Sequence, residues 1–137
     1  MVKVFSKKLH LFVCLTILSG LFSASVALAD VADVETVVYS YLNSLASGNV
    51  GAIEGLIDGP LLQRTMGIIR NPDRYGNFLR KQYDQVSMTV VSITPTGDIY
   101  HATVQFDYPS GNTSRYVLVI SNVNSEWKIT DEIKEGS

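Results

Sequence analysis

The sequence predicts an α+β domain, helices first and a four-stranded antiparallel sheet after them. Three observations carry that reading. Apolar residues recur at three- and four-residue spacing between Asp33 and Tyr83. After Asp84 the period changes to two and stays there to the end of the chain. The strand-like stretches are joined by connections so short that neighbours must run antiparallel.

The first 29 residues stand apart from this pattern as a secretory leader. Lys3, Lys7 and Lys8 supply a positive start, Leu11 to Leu18 an apolar run, and Ala27-Leu28-Ala29 a small-x-small cleavage pattern before Asp30. The run is far shorter than the roughly 20 residues of a membrane-spanning helix. Cleavage is expected after Ala29, giving a periplasmic or extracellular protein of residues 30–137 with no transmembrane segment. Cys14 lies inside the apolar run behind Val13, which argues against a lipid anchor. The remainder has no cysteine, so an ordinary core and not a disulfide must hold it. Without the leader lysines, 8 Lys+Arg face 13 Asp+Glu, a net charge of −5. This is a mildly acidic single domain and not a chain built to bind nucleic acid.

Each element follows from local pattern. Val34, Val37, Val38, Tyr41, Leu42 and Leu45 form one helical stripe that Ser47-Gly48-Asn49 ends. Asn49 caps a shorter helix with Val50, Ile53, Leu56 and Ile57, stopped by Asp58-Gly59-Pro60. Leu61, Leu62, Met66, Ile68 and Ile69 resume the helical spacing. Asn71-Pro72-Asp73 interrupts it, and a last helix presents Tyr75, Phe78, Leu79 and Tyr83. The expected strands are Val86 to Thr94, Ile99 to Tyr108, Ser114 to Val123 and Glu126 to Ile133. Pro95 to Asp98, Pro109 to Asn112 and Asn122 to Ser125 are the turns between them.

A long amphipathic helix, then "GNVGAIEGLID", two further helical pieces and a sheet ending in "SEWKITDEI" resembles the nuclear transport factor 2-like superfamily over residues 33 to 133. The resemblance implies a curved sheet wrapped around the helices, a cone with a pocket at its open end. It leaves function open: similar domains include ketosteroid isomerase, dehydratases, polyketide cyclases and non-catalytic binding modules.

Motif chemistry is absent. The sequence holds no phosphate-binding G-x-x-x-x-G-K, no H-E-x-x-H, no G-x-S-x-G and no G-x-G-x-x-G. With one histidine after the leader, His101, a multi-histidine metal site cannot be built within one chain, and neither a metal nor a cofactor is expected. Asn112-Thr113-Ser114 matches a glycosylation acceptor but lies where a turn favours Asn and Ser in any case.

Alternation sorts the second strand. Tyr100, Ala102, Val104, Phe106 and Tyr108 should face the helices, leaving His101 and Asp107, the obvious acid–base pair, on the outer side. Continued along the last strand, the same logic turns Asp131 inward with Trp127, Ile129 and Ile133. A desolvated Asp131 would be the base of a small lyase or isomerase, with a pocket tyrosine beside it. The alternative is an Asp131 near the open rim or beyond a strand bulge, hydrated so close to the C-terminus. The other reading is an exported, non-catalytic binding module whose hydrophobic and aromatic pocket is lined by Tyr39, Tyr100, Tyr116 and Trp127, with a small molecule or protein as partner. Arg64, Arg70, Arg74, Arg80 and Lys81 gather a local +4 between Pro60 and Tyr83, opposed only by Asp73, as a solvated face or an anion-binding patch. Val117 and Val119 should turn outward, extended by Val91 and Ile99, and invite a homodimer through the outer sheet face. The alternative is a monomer in which a bulge in the first strand turns Val91 inward.

Overall fold

The computed structural model describes residues 30–136. The leader, its cleavage point and Cys14 lie outside the described residues, apart from Asp30 itself. The fold below is that of the compact unit Asp33–Ser137, with the described residues 30–32 leading into its first helix. Helix α1 covers residues 30–47. It is followed by α2 (Val50–Leu56), α3 (Gly59–Ile68) and α4 (Pro72–Gln82), then by β1 (Ser87–Thr96), β2 (Ile99–Asp107), β3 (Thr113–Val123) and β4 (Glu126–Lys134). The strands form one antiparallel sheet in the order β1-β2-β3-β4. The helices-then-sheet α+β architecture is therefore the one the periodicity predicts.

The α1 stripe buries Val34, Val38, Tyr41, Leu42 and Leu45. Its end is a Schellman motif: Gly48 has φ +64°, its N–H reaches the Leu45 carbonyl, and the Asn49 N–H reaches that of Ser44 at 2.9 Å. Gly48 also meets α4 backbone to backbone. A Cβ there would lie 2.2 Å from the Gly76 carbonyl oxygen, so neither the φ nor the space admits a side chain. Asn49 then caps α2 through a bond from the Ala52 N–H. Two of the expected helix breaks prove to be helix starts. Asp58 caps α3 and Asn71 caps α4, each with a proline in the first turn, where its missing N–H costs nothing.

Between helices and sheet, Ile53, Leu118, Ile120 and Ile129 are fully buried. Each contributes about 1.5–3 kcal/mol by leaving water. Ile57, just past α2, bridges to Ile129, and the Asp58 N–H bonds the Ile129 carbonyl at 2.9 Å, which fixes the start of α3 against β4. The β3–β4 turn places Asn124 and Ser125 both at positive φ, the geometry of a tight two-residue hairpin.

Two β-bulges interrupt the sheet. In β1, Val90 pairs with Val104 and Ser92 with Thr103, so Val91 is the extra residue. Val91 is half exposed rather than turned inward; the bulge instead brings Ile93 to the core side. In β4, Ile129 pairs with Ile120 and Asp131 with Val119, leaving Thr130 as the extra residue. Its hydroxyl bonds the Ser121 hydroxyl at 3.1 Å and the Val119 carbonyl at 3.3 Å.

Candidate functional site

The Thr130 bulge reverses the facing of everything after it. Asp131 lies opposite Val119, and Ile133 opposite Val117, on the outer side of the sheet. Of the two placements the sequence allowed for Asp131, the inward one is thus corrected and the one beyond a strand bulge is observed: unbroken alternation does not hold across an extra residue. The Asp131 carboxylate takes a bond from Arg64 of α3 at 2.5 Å and a second from the Glu132 N–H at 2.9 Å. With about a third of its side chain exposed, it is held below the usual aspartate range by the Arg64 bond. That is the opposite of what a general base needs.

Glu132 takes the inward place instead. It sits opposite Leu118 in the row Ala102–Leu118–Glu132 that faces the helices. The buried Tyr41 hydroxyl, from the α1 stripe, donates to Glu132 Oε2 at 3.0 Å. Burial pushes Glu132 above its ordinary 4.5, against the opposing pull of the Tyr41 bond and the Arg64 charge. Tyr41 is raised in turn, first by burial and then by the Glu132 charge. Tyr75, Tyr83 and Tyr116 are also raised by burial and by the same carboxylate, which therefore stands amid tyrosines of α1, α4, β3 and the α4 C-cap. Phe106 supports two of them, tilted against Tyr83 at 5.8 Å and edge-on to Tyr116 at 5.3 Å.

The four expected pocket residues do not converge. Tyr39 is about half exposed on α1. Tyr100 and Trp127 pack edge to face at 5.3 Å, near the Ile120 end of the sheet, while Tyr116 lies at the Glu132 end. His101 and Asp107 do face outward and stay apart. The His101 Nδ1 neighbours the Thr96 hydroxyl, and Asp107 accepts from Gln105 and Thr113.

The basic residues divide as well. Arg64 is tied to Asp131, and Arg80 bonds the Ser47 carbonyl at 3.2 Å and the Asn77 side chain. Arg70 and Arg74 instead border a hollow of about 400 Å³ at the α3–α4 junction, completed by Ile68, Asn71, Tyr75 and Phe78. Phe78 stacks on Tyr75 with ring centres 6.1 Å apart. Tyr75 thus belongs both to the hollow and to the surroundings of Glu132. A more polar groove of about 510 Å³ lies where Gly48 meets Gly76, bordered by Asp73, Asn77 and Arg80. Among the described residues no three of His, Cys, Asp and Glu cluster as metal ligands. No helix among them is long and apolar enough to cross a membrane.

Sequence reasoning missed Glu132. One signal pointed to it: Tyr41 lies on the buried stripe of α1, and a buried phenol needs an acceptor.

The fold class these features define is the nuclear transport factor 2-like fold. The chain is similar to an NTF2-like protein from Silicibacter pomeroyi, whose crystal structure describes it as of unknown function. The TM-score is 0.57 at 16% identity, over 80% of this chain and 97% of that one. Similar NTF2-like proteins of unknown function come from Shewanella baltica (TM-score 0.55, 10% identity, 79% and 94% covered) and Methylobacillus flagellatus (0.55, 14%, 77% and 90%). No protein-family model matches the sequence, and no curated protein matches it. At these identities the likeness establishes the fold alone.

Proposed function

We propose that the chain is an exported binding module that takes a small, largely apolar ligand. The α3–α4 hollow carries this reading. It has the volume of a small-molecule site, and two of its apolar side chains, Ile68 and Phe78, are more than half exposed. A soluble domain gains nothing from leaving such groups in water unless something covers them. The test is titration with the neutral apolar dye N-phenyl-1-naphthylamine. Saturable fluorescence enhancement that Phe78→Ser removes supports the reading; no saturable enhancement ends it. Export is checked by mass spectrometry of the protein released by its host, with Asp30 expected as the first residue.

A second reading is favoured by the Glu132–Tyr41 pair: a small acid–base lyase or isomerase in which Glu132 holds the place expected of Asp131. A partly buried carboxylate of raised pKa beside tyrosines is the kind of group such chemistry uses. Proton exchange α to the carbonyl of a model ketone, lost in Glu132→Gln, would support it; exchange no faster than buffer alone would exclude it for that substrate class.

The outer sheet face is the proposed surface for a second copy. Val117 lies between Thr103 and Ile133, and Ile133 and Val91 are each about half exposed. A dimer in light scattering that Val117→Lys dissociates is the expected outcome. A mass of one chain at micromolar concentration ends the proposal.

A further inference from the structure

We propose that the α3–α4 hollow selects an amphipathic anion: a free small molecule with an apolar body and one carboxylate, sulfonate or phosphate head. This rests on the reading of the hollow as a ligand site and adds the ligand's charge. The apolar part is a platform. Ile68 is 64% exposed, the most of any large apolar side chain among the described residues, and Phe78 is 54% exposed while stacked on Tyr75.

Charge at the rim is of one sign. Arg70 and Arg74 line the hollow, and no Asp or Glu lines it. Among the described residues no hydrogen bond or ion pair engages either guanidinium, whereas Arg64 and Arg80 are both held by protein acceptors. Two uncommitted guanidiniums therefore border an apolar platform on a chain whose net charge after the leader is −5. Such a local inversion draws anions to one place on an otherwise repelling surface. The planar guanidinium fork matches a carboxylate or phosphate with two parallel bonds, which an ammonium cannot offer. A cationic amphipath would be repelled by the same pair, and a neutral one would leave both arginines idle.

The experiment is calorimetric titration with decanoate, decan-1-ol and decyltrimethylammonium, each below its micelle-forming concentration. The proteins are the wild type, the double variant Arg70→Gln/Arg74→Gln and Phe78→Ser, with circular dichroism to verify that each is folded. Decanoate should bind the wild type most tightly and lose about tenfold or more in the double variant, as expected for charge-assisted hydrogen bonds. Decanol should bind both alike, and Phe78→Ser should weaken every ligand. If decanol binds as tightly as decanoate and the double variant changes neither, the anion proposal falls while the hollow survives as an apolar site. If no probe binds, or Phe78→Ser changes nothing, the proposal and the binding-module reading fall together. Binding to phosphatidylglycerol vesicles without binding to monomeric decanoate overturns the proposal in favour of a membrane surface.

Discussion

β2 and β4 both set apolar residues at alternate positions, yet only β2 keeps one parity from end to end. In β2, Ala102, Val104 and Phe106 all enter the core, and His101, Thr103, Gln105 and Asp107 all stay on the other side. β4 begins in the same way, with Ile129 fully buried, and then spends one residue, Thr130, outside the ladder. The consequence falls on two adjacent carboxylates. Asp131 goes to a half-open ion pair and a lowered pKa, Glu132 to a phenol inside the domain and a raised one. A bulge thus assigns chemistry: it decides which of two neighbouring acids is desolvated.

Single-residue deletion breaks this comparison most severely. Removing Thr103 from β2 forces every later inward residue of the strand outward, or slips the whole pairing by one. Exposing Val104 and Phe106 alone would cost about 3–6 kcal/mol, comparable with the full stability of a small domain. The expected outcome is an unfolded or insoluble protein. Removing Thr130 should be survivable, because the bulge already stands outside the alternation: without it Asp131 still points out and Glu132 in. The cost expected is that of the two Thr130 hydroxyl contacts, about 2 kcal/mol, read as a lower urea midpoint with an unchanged slope. Equal damage from the two deletions would show that Thr130 is an ordinary ladder residue.

Truncating the two acids sharpens the contrast at smaller scale. Glu132→Ala leaves the buried Tyr41 hydroxyl without its acceptor and should cost about 1–3 kcal/mol. Tyr41→Phe/Glu132→Leu removes both partners and should recover most of that loss. Asp131→Ala breaks a pair in which Arg64 is half exposed, and should cost no more than about 1 kcal/mol. Urea denaturation of the four proteins checks the order. An Asp131→Ala more damaging than Glu132→Ala would contradict the burial described for both.

Legibility followed the same line. The α1 stripe and the inward face of β2 and β3 could be read from the chain, because each rests on an uninterrupted period that burial enforces; β1 and β4 were legible as strands between turn signals, but not in their facing past the bulge. The starts of α3 and α4 were misplaced: Asp58-Gly59-Pro60 and Asn71-Pro72-Asp73 look like breaks, but a capping side chain followed by proline is also how a helix begins. A bulge at Val91 and one before Asp131 could each be offered as an alternative, but neither could be fixed from the chain, since Val91 and Thr130 are residues any strand would accept. The α3–α4 hollow was hidden for a different reason. Ile68 and Phe78 sit at helical spacings that normally mean core, and only the packing shows that they lie in the open. Arg70 and Arg74 were visible as charge, but not as guanidiniums without a partner among the described residues.

The finest test of the comparison is pH, where the two acids should act with opposite sign. Glu132 binds its proton more tightly folded than unfolded, so its ionisation lowers stability as pH rises from 4.5 through its raised folded value, and costs nothing below 4.5. Glu132→Gln cannot ionise; relative to wild type it should gain stability across that window and hold a constant advantage above it. The gain is modest, because the Tyr41 bond and the Arg64 charge already oppose the effect of burial. Asp131 behaves in reverse. Its folded value lies below 3.8, so its contribution is complete above 3.8 and disappears as pH falls through the folded value. Wild type should therefore exceed Asp131→Asn in stability at neutral pH and converge with it in acid. Urea midpoints from pH 3 to pH 8 would show one difference curve opening upward in pH and the other closing downward. Two curves of the same sign would mean that one of these carboxylates is not where the Thr130 bulge puts it.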